Sequence, residues 1–144
     1  MSSEKRKVTV TSSSRICRDD DVENIIFTSD GEMTLDGGKI SISYNEPSDE
    51  DGKSVKSVLS FREDNGGEIT ISRSGGVNAL LFFSEGERYN WQYDMGFATM
   101  EFCTATQSVS NTINYQKGGI LSVKYTTESR GVLMQSVNFS VTVR

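Results

Sequence analysis

Apolar and polar residues alternate with a period of two through most of the chain, and turn-forming residues break the alternation about every ten positions. Near the end, Val137, Phe139, Val141 and Val143 are separated by Asn138, Ser140 and Thr142. Val8 and Val10 alternate with Lys7, Thr9 and Thr11, and Ile40, Ile42 and Tyr44 with Lys39, Ser41 and Ser43. Ile69 and Ile71 flank Thr70, and Leu121, Val123 and Tyr125 flank Ser122 and Lys124. Strands with one dry and one wet face belong to antiparallel sheets. Between them stand Asp36-Gly37-Gly38, Asn65-Gly66-Gly67, Ser84-Glu85-Gly86-Glu87, Lys117-Gly118-Gly119 and Ser129-Arg130-Gly131. Such sequences supply the positive φ that tight hairpins need.

Connections this short favour an up-and-down barrel over a Greek-key sandwich, and closure removes exposed sheet edges. The pattern therefore predicts one all-β domain, an antiparallel barrel of roughly eight to ten strands. Residues 1–6 are expected to be disordered. Asn45 to Lys53, which holds the lone proline Pro47, reads as a solvated loop. Asp19 to Asn24 leaves room for one helical turn.

Composition agrees. Among 144 residues there are 21 Ser, 12 Thr and 13 Gly against 3 Ala and 1 Pro, which favours strands and turns over helices. The chain contains no His, which removes His-based triads, His general bases and His metal ligands. A formal charge of -5 argues against nucleic-acid binding, which relies on a basic face. The longest apolar run, Ala79 to Phe83, is far too short to span a bilayer, and the basic start lacks the apolar stretch of a signal peptide. Cys17 and Cys103 lack metal-binding spacing and are expected to be free thiols in a reducing cytoplasm.

Several segments in order carry a resemblance: Ile42-Ser43-Tyr44-Asn45-Glu46; Arg73-Ser74-Gly75 with Asn78; Phe83-Ser84-Glu85-Gly86; Tyr93-Asp94-Met95-Gly96-Phe97. Gly118-Gly119-Ile120-Leu121 with Tyr125, and Asn138-Phe139-Ser140-Val141, complete it. From about Lys7 to Arg144 the chain resembles the bacterial YwiB-like family, a family of unknown function with a calycin (lipocalin-like) β-barrel. It departs at Phe97-Ala98, where the family often has Tyr-Gly, and at Met95, where it has Thr. The resemblance implies a fold and brings no catalytic residue.

Three groups of side chains are candidates for a site. Tyr89, Trp91 and Tyr93 share one strand face and could line a pocket, although ordinary core filling is the commoner reason for an aromatic stripe. Ser12 and Ser14 continue the face of Val8 and Val10, and Ser57 lies between Val55 and Leu59. Small hydroxylated residues on an apolar face leave room for water or a ligand, unless the strand frays there into solvent. Arg73 follows Ile69 and Ile71 on the dry face near a strand end, at one mouth of the barrel. It can hold a ligand carboxylate, with Trp91 and Tyr93 against the apolar body, or pair internally, with Glu101 the candidate partner.

Asp19-Asp20-Asp21 and Asp49-Glu50-Asp51-Gly52 lack calcium-loop spacing and read as solvated turns, so no metal or cofactor is expected. Leu80 and Phe82 make the Ala79–Phe83 run apolar on both faces and require a cover: the N-terminal segment, a short helix or a second subunit, with a homodimer favoured. The sequence thus points to a cytoplasmic, non-catalytic binding module for a small, partly apolar ligand that can carry an anionic group. The competing reading is a solid-cored structural or protein-interaction barrel. Neither nucleic acid nor membrane is an expected partner.

Overall fold

The computed structural model describes residues 3–46, 54–75, 78–94 and 97–144. Among them every regular element is a strand: β1 (Glu4–Arg18), β2 (Asp21–Asp36), β3 (Lys39–Glu46), β4 (Val55–Arg62), β5 (Asn65–Gly75), β6 (Ala79–Ser84), β7 (Arg88–Asp94), β8 (Thr99–Asn111), β9 (Gly119–Ser129) and β10 (Val132–Val143). All pairings are antiparallel, and the spatial order is β6-β5-β4-β3-β2-β1-β10-β9-β8-β7. Two meanders are therefore joined through β1 and β10, with Val10 opposite Val143 and Cys17 opposite Ser136. The sheet curls into a nearly closed antiparallel barrel of ten strands.

The seam lies between β6 and β7, the two ends of that order. Ser84-Glu85-Gly86-Glu87 does turn tightly, the Glu87 amide donating to the Ser84 carbonyl at 2.9 Å, but the expected hairpin ladder does not follow. Gly86 N–H donates to the Thr106 carbonyl (2.9 Å), and Thr106 N–H donates to the Glu87 carbonyl (3.0 Å). These bonds commit the chain to β8 before it can pair with β6.

One half of the barrel is packed solid. Val10, Met33, Ile40, Ile42, Leu59, Ile69, Leu121 and Val141 are fully buried, each at an apolar step of the alternation. Burial of such side chains is worth roughly 1.5–3 kcal/mol each. The β8–β9 connection closes this end by burying Ile113 and Tyr115. At Gly118 (φ 73°) an added Cβ would lie 2.0 Å from the Val143 carbonyl oxygen, so the loop passes the end of β10 only because no side chain is present there.

Three local expectations are corrected. Asp19 to Asn24 holds no helical turn: Arg18 pairs directly with Asp21, and Asp19 adopts φ 49° in a two-residue hairpin. The apolar run Ile25-Ile26-Phe27 had hidden the period of two there. Residues 4–6, placed outside the fold by the sequence, belong to β1, because Glu4 already pairs with Leu35; Arg6 lies over the Tyr115 ring at 5.9 Å. The solvated loop expected from Asn45 starts later, since β3 runs through Glu46. Pro47 and the cluster Asp49-Glu50-Asp51-Gly52 lie outside the described residues.

Candidate functional site

At the end opposite the β8–β9 connection the interior is hollow, with a cavity of about 300 Å³. Its floor and walls follow from the alternation. The inward face of β1 steps from Val8 and Val10, which help fill one half, to Ser12 and Ser14, which leave room in the other, and Phe139 and Val137 of β10 line the same space. Ile71, Leu81, Phe83, Phe27 and Phe139 give the cavity an apolar wall. Ser12, Ser14 and Ser57 all line it, and Ser12 and Ser57 are buried, so the strand does not fray into solvent at Ser12.

The polar corner is built by three neighbouring strands. Tyr44 stands opposite Ser57 across β3 and β4, and Ser57 stands opposite Arg73 across β4 and β5. Arg73 Nε–H donates to Glu46 Oε2 at 2.8 Å and Nη2–H to Glu46 Oε1 at 2.9 Å, a bidentate pair with side chains 32% and 21% exposed. The Ser57 hydroxyl donates to Glu46 Oε2 at 2.6 Å. Arg73 therefore faces the cavity, as its place on the dry face requires, and its partner is Glu46. Glu101, the candidate from sequence, sits exposed on β8 opposite Gln92.

Two tyrosines flank this pair. Burial pushes the Tyr44 hydroxyl up to about 12, and the nearby Glu46 carboxylate adds to that while Arg73 and Ser57 oppose it. Tyr125 is also raised to about 12 by burial, with Arg73 opposing; its ring packs on Phe83 with centroids 4.7 Å apart. Both remain protonated hydrogen-bond donors at neutral pH. At the rim, Arg18 bonds to Glu23 (3.2 Å) and Gln135 (3.0 Å). Among the described residues, the charged side chains lining the cavity are Arg18 and Arg73 against Glu46.

The aromatic stripe is not part of this cavity. Trp91 Nε1–H donates to the Thr104 hydroxyl at 2.8 Å, and its ring stacks on Phe102 at 4.9 Å. Tyr89 and Trp91 border a separate open groove of about 1400 Å³ along β7 and β8, while Tyr93 is half-buried and lines neither space. The assembly of Arg73 with Trp91 and Tyr93 around one ligand is therefore corrected. The seam separates them: β7 has no ladder to β6, and Tyr89 packs on Phe82 of β6 (5.8 Å). Phe82 thereby finds cover within its own chain, whereas Leu80 is 48% exposed. Cys17 and Cys103 are free thiols.

Sequence reasoning missed Glu46, Tyr44 and Tyr125 as site residues. The signal for Glu46 was present, because it is the next inward step after Ile40, Ile42 and Tyr44. The adjacent acidic run disguised it as loop.

No curated protein matches the chain. A crystal structure of the ywiB protein from Bacillus subtilis is similar to it, with a TM-score of 0.83 and 27% identity, over 97% of this chain and 92% of that one. The model of the domain of unknown function DUF1934 matches residues 8–141, and the chain belongs to that family.

Proposed function

We propose that this protein is a non-catalytic binding module of calycin type that holds a small, partly apolar molecule in the mouth of its barrel. The observation that supports it is the cavity of about 300 Å³, apolar on most sides and polar at one corner. An anionic head is the favoured match, since among the described residues two arginines and one carboxylate line the space, with Arg18 also paired to Glu23 at the rim. Nε–H and one Nη2–H of Arg73 are engaged by Glu46, and its remaining N–H groups can serve a ligand oxygen. The pair and the Ser57 hydroxyl form a preorganised polar patch, whose formation costs a ligand nothing on binding. No helix among the described residues is long and apolar enough to cross a membrane. A cytoplasmic location remains part of this proposal.

The test is titration with 1-anilinonaphthalene-8-sulfonate, an apolar aromatic anion of suitable size, on the unaltered protein and on Leu81→Trp. Leu81 lines the cavity opposite Ile71 and takes no part in the hydrogen bonds of the ion pair, so the larger side chain fills the space without removing any of them. Probe affinity should fall at least about 10-fold, which corresponds to about 1.4 kcal/mol. Equal affinity in both proteins would remove this reading in favour of a structural or interaction barrel.

A further inference from the structure

We infer that two copies of this chain pair through the free edge of β2, antiparallel and about a two-fold axis at Ile26. β2 pairs with β1 along its whole length, from Asp21 opposite Arg18 to Leu35 opposite Glu4, without a register shift. It pairs with β3 only from Gly31 to Asp36. Among the described residues, the edge from Asp21 to Asp30 carries no second ladder. Ile26 on this edge is 70% exposed and Val22 51%.

Exposed edges are commonly guarded by lysine, proline or a bulge. Residues 21–30 contain no Lys, Arg or Pro, and their charges, Asp21, Glu23 and Asp30, lie toward the two ends of the segment. They carry instead an apolar triplet, Ile25-Ile26-Phe27, flanked on either side by polar pairs, Glu23-Asn24 and Thr28-Ser29. That order is symmetric about Ile26, and the symmetry selects the occupant.

In a sheet continued across a two-fold axis normal to it, directly opposed residues must share a face. A register centred on Ile26 satisfies this. Ile26 meets Ile26 of the second copy on the outer face, and Ile25 meets Phe27 of the second copy on the inner face, with the reciprocal pair beside it. Asn24 then lies opposite Thr28 of the second copy, Glu23 opposite its Ser29, Val22 opposite its Asp30 and Asp21 opposite its Gly31, so along the free edge no acid faces an acid. Ile25 and Phe27 also line the mouth cavity, so the added strand continues its wall where β2 and β3 diverge beyond Gly31.

Other surfaces fit less well. The adjoining Asp19-Asp20-Asp21 and Glu23 repel an anionic lipid surface. The β6 face that the sequence offered for a homodimer is partly covered by Tyr89 on Phe82.

Sedimentation velocity on the full chain over roughly 1–200 μM tests the pairing, with a dimer expected. Ile26→Lys should raise the dimer dissociation constant at least 100-fold with an unchanged circular dichroism spectrum, while Leu80→Lys should leave it unchanged. A second variant tests the register independently. Opposed Cα atoms in an antiparallel pair lie about 4.5–5.5 Å apart, within disulfide range. Ile26→Cys, with Cys17→Ser and Cys103→Ser, should therefore oxidise to a covalent dimer. A monomer throughout the range, a dimer that survives Ile26→Lys, or a dimer in which Ile26→Cys does not cross-link would each overturn the inference; loss of the dimer in Leu80→Lys alone would move the interface to β6.

Discussion

Arg73 shows how one side chain is held between structure and recognition. Removing its charge by Arg73→Met strands the Glu46 carboxylate, which keeps only the Ser57 hydroxyl among the partners described. The pair is partly exposed, so the loss should be about 1–3 kcal/mol, below the figure for a fully buried pair. Adding Glu46→Gln should recover most of it, because Gln still accepts from Ser57 without a stranded charge. Urea unfolding with an unchanged slope measures both. The flanking tyrosines make a second prediction. Their hydroxyls ionise near 10.0 when unfolded and near 12 in the native state. Between those values the native state keeps protons that the unfolded chain has released. Stability is therefore full below pH 10 and falls as pH rises toward 12, by about 2–3 kcal/mol per tyrosine. Absorbance at 295 nm should show a late ionisation toward pH 12 that disappears when Tyr44 and Tyr125 are replaced by Phe. Full ionisation of all five tyrosines near pH 10 in folded protein would contradict it.

At the scale of elements, alternation made most strands readable, because a period of two cannot be mistaken where one face is wet. The same logic placed Ser12, Ser57 and Arg73 on the interior. It separated the two faces of Leu80 to Phe83 correctly, and it faltered at the apolar run Ile25-Ile26-Phe27 and where acids continue a strand, at Glu46. The split of the aromatic stripe from Arg73 was not legible, because it depends on which neighbour β7 chooses. That choice is made by backbone bonds to Thr106, and side-chain pattern says nothing of it. The glycines of the β8–β9 connection were legible as turn formers, but not as spacers against β10. Gly118→Ala meets both a positive φ and the Val143 carbonyl. It should cost more than about 1 kcal/mol and lower the melting temperature by several degrees. Gly37→Ala, which also has positive φ but open space around it, should cost less.

For the whole molecule, the order of strands matters more than their number. Among the described residues, every ladder but one joins strands adjacent in sequence; the exception is β1 with β10, the first and last strands. Thr9 and Arg144 exchange backbone bonds of 2.8 and 3.0 Å, so Glu4 and Arg144 lie at the same end of the barrel, about five strand residues or roughly 17 Å apart. The seam, meanwhile, already separates β6 from β7. A circular permutant that joins Arg144 to Ser3 by about eight flexible residues and opens the chain between Ser84 and Glu85 would turn every ladder into a local hairpin. The long loop closure that β1 and β10 now demand would vanish from the folding barrier. Such a permutant should refold faster than the parent in stopped-flow experiments. Its unfolding rate should change little if the turn at the seam contributes only its own few bonds to the native state.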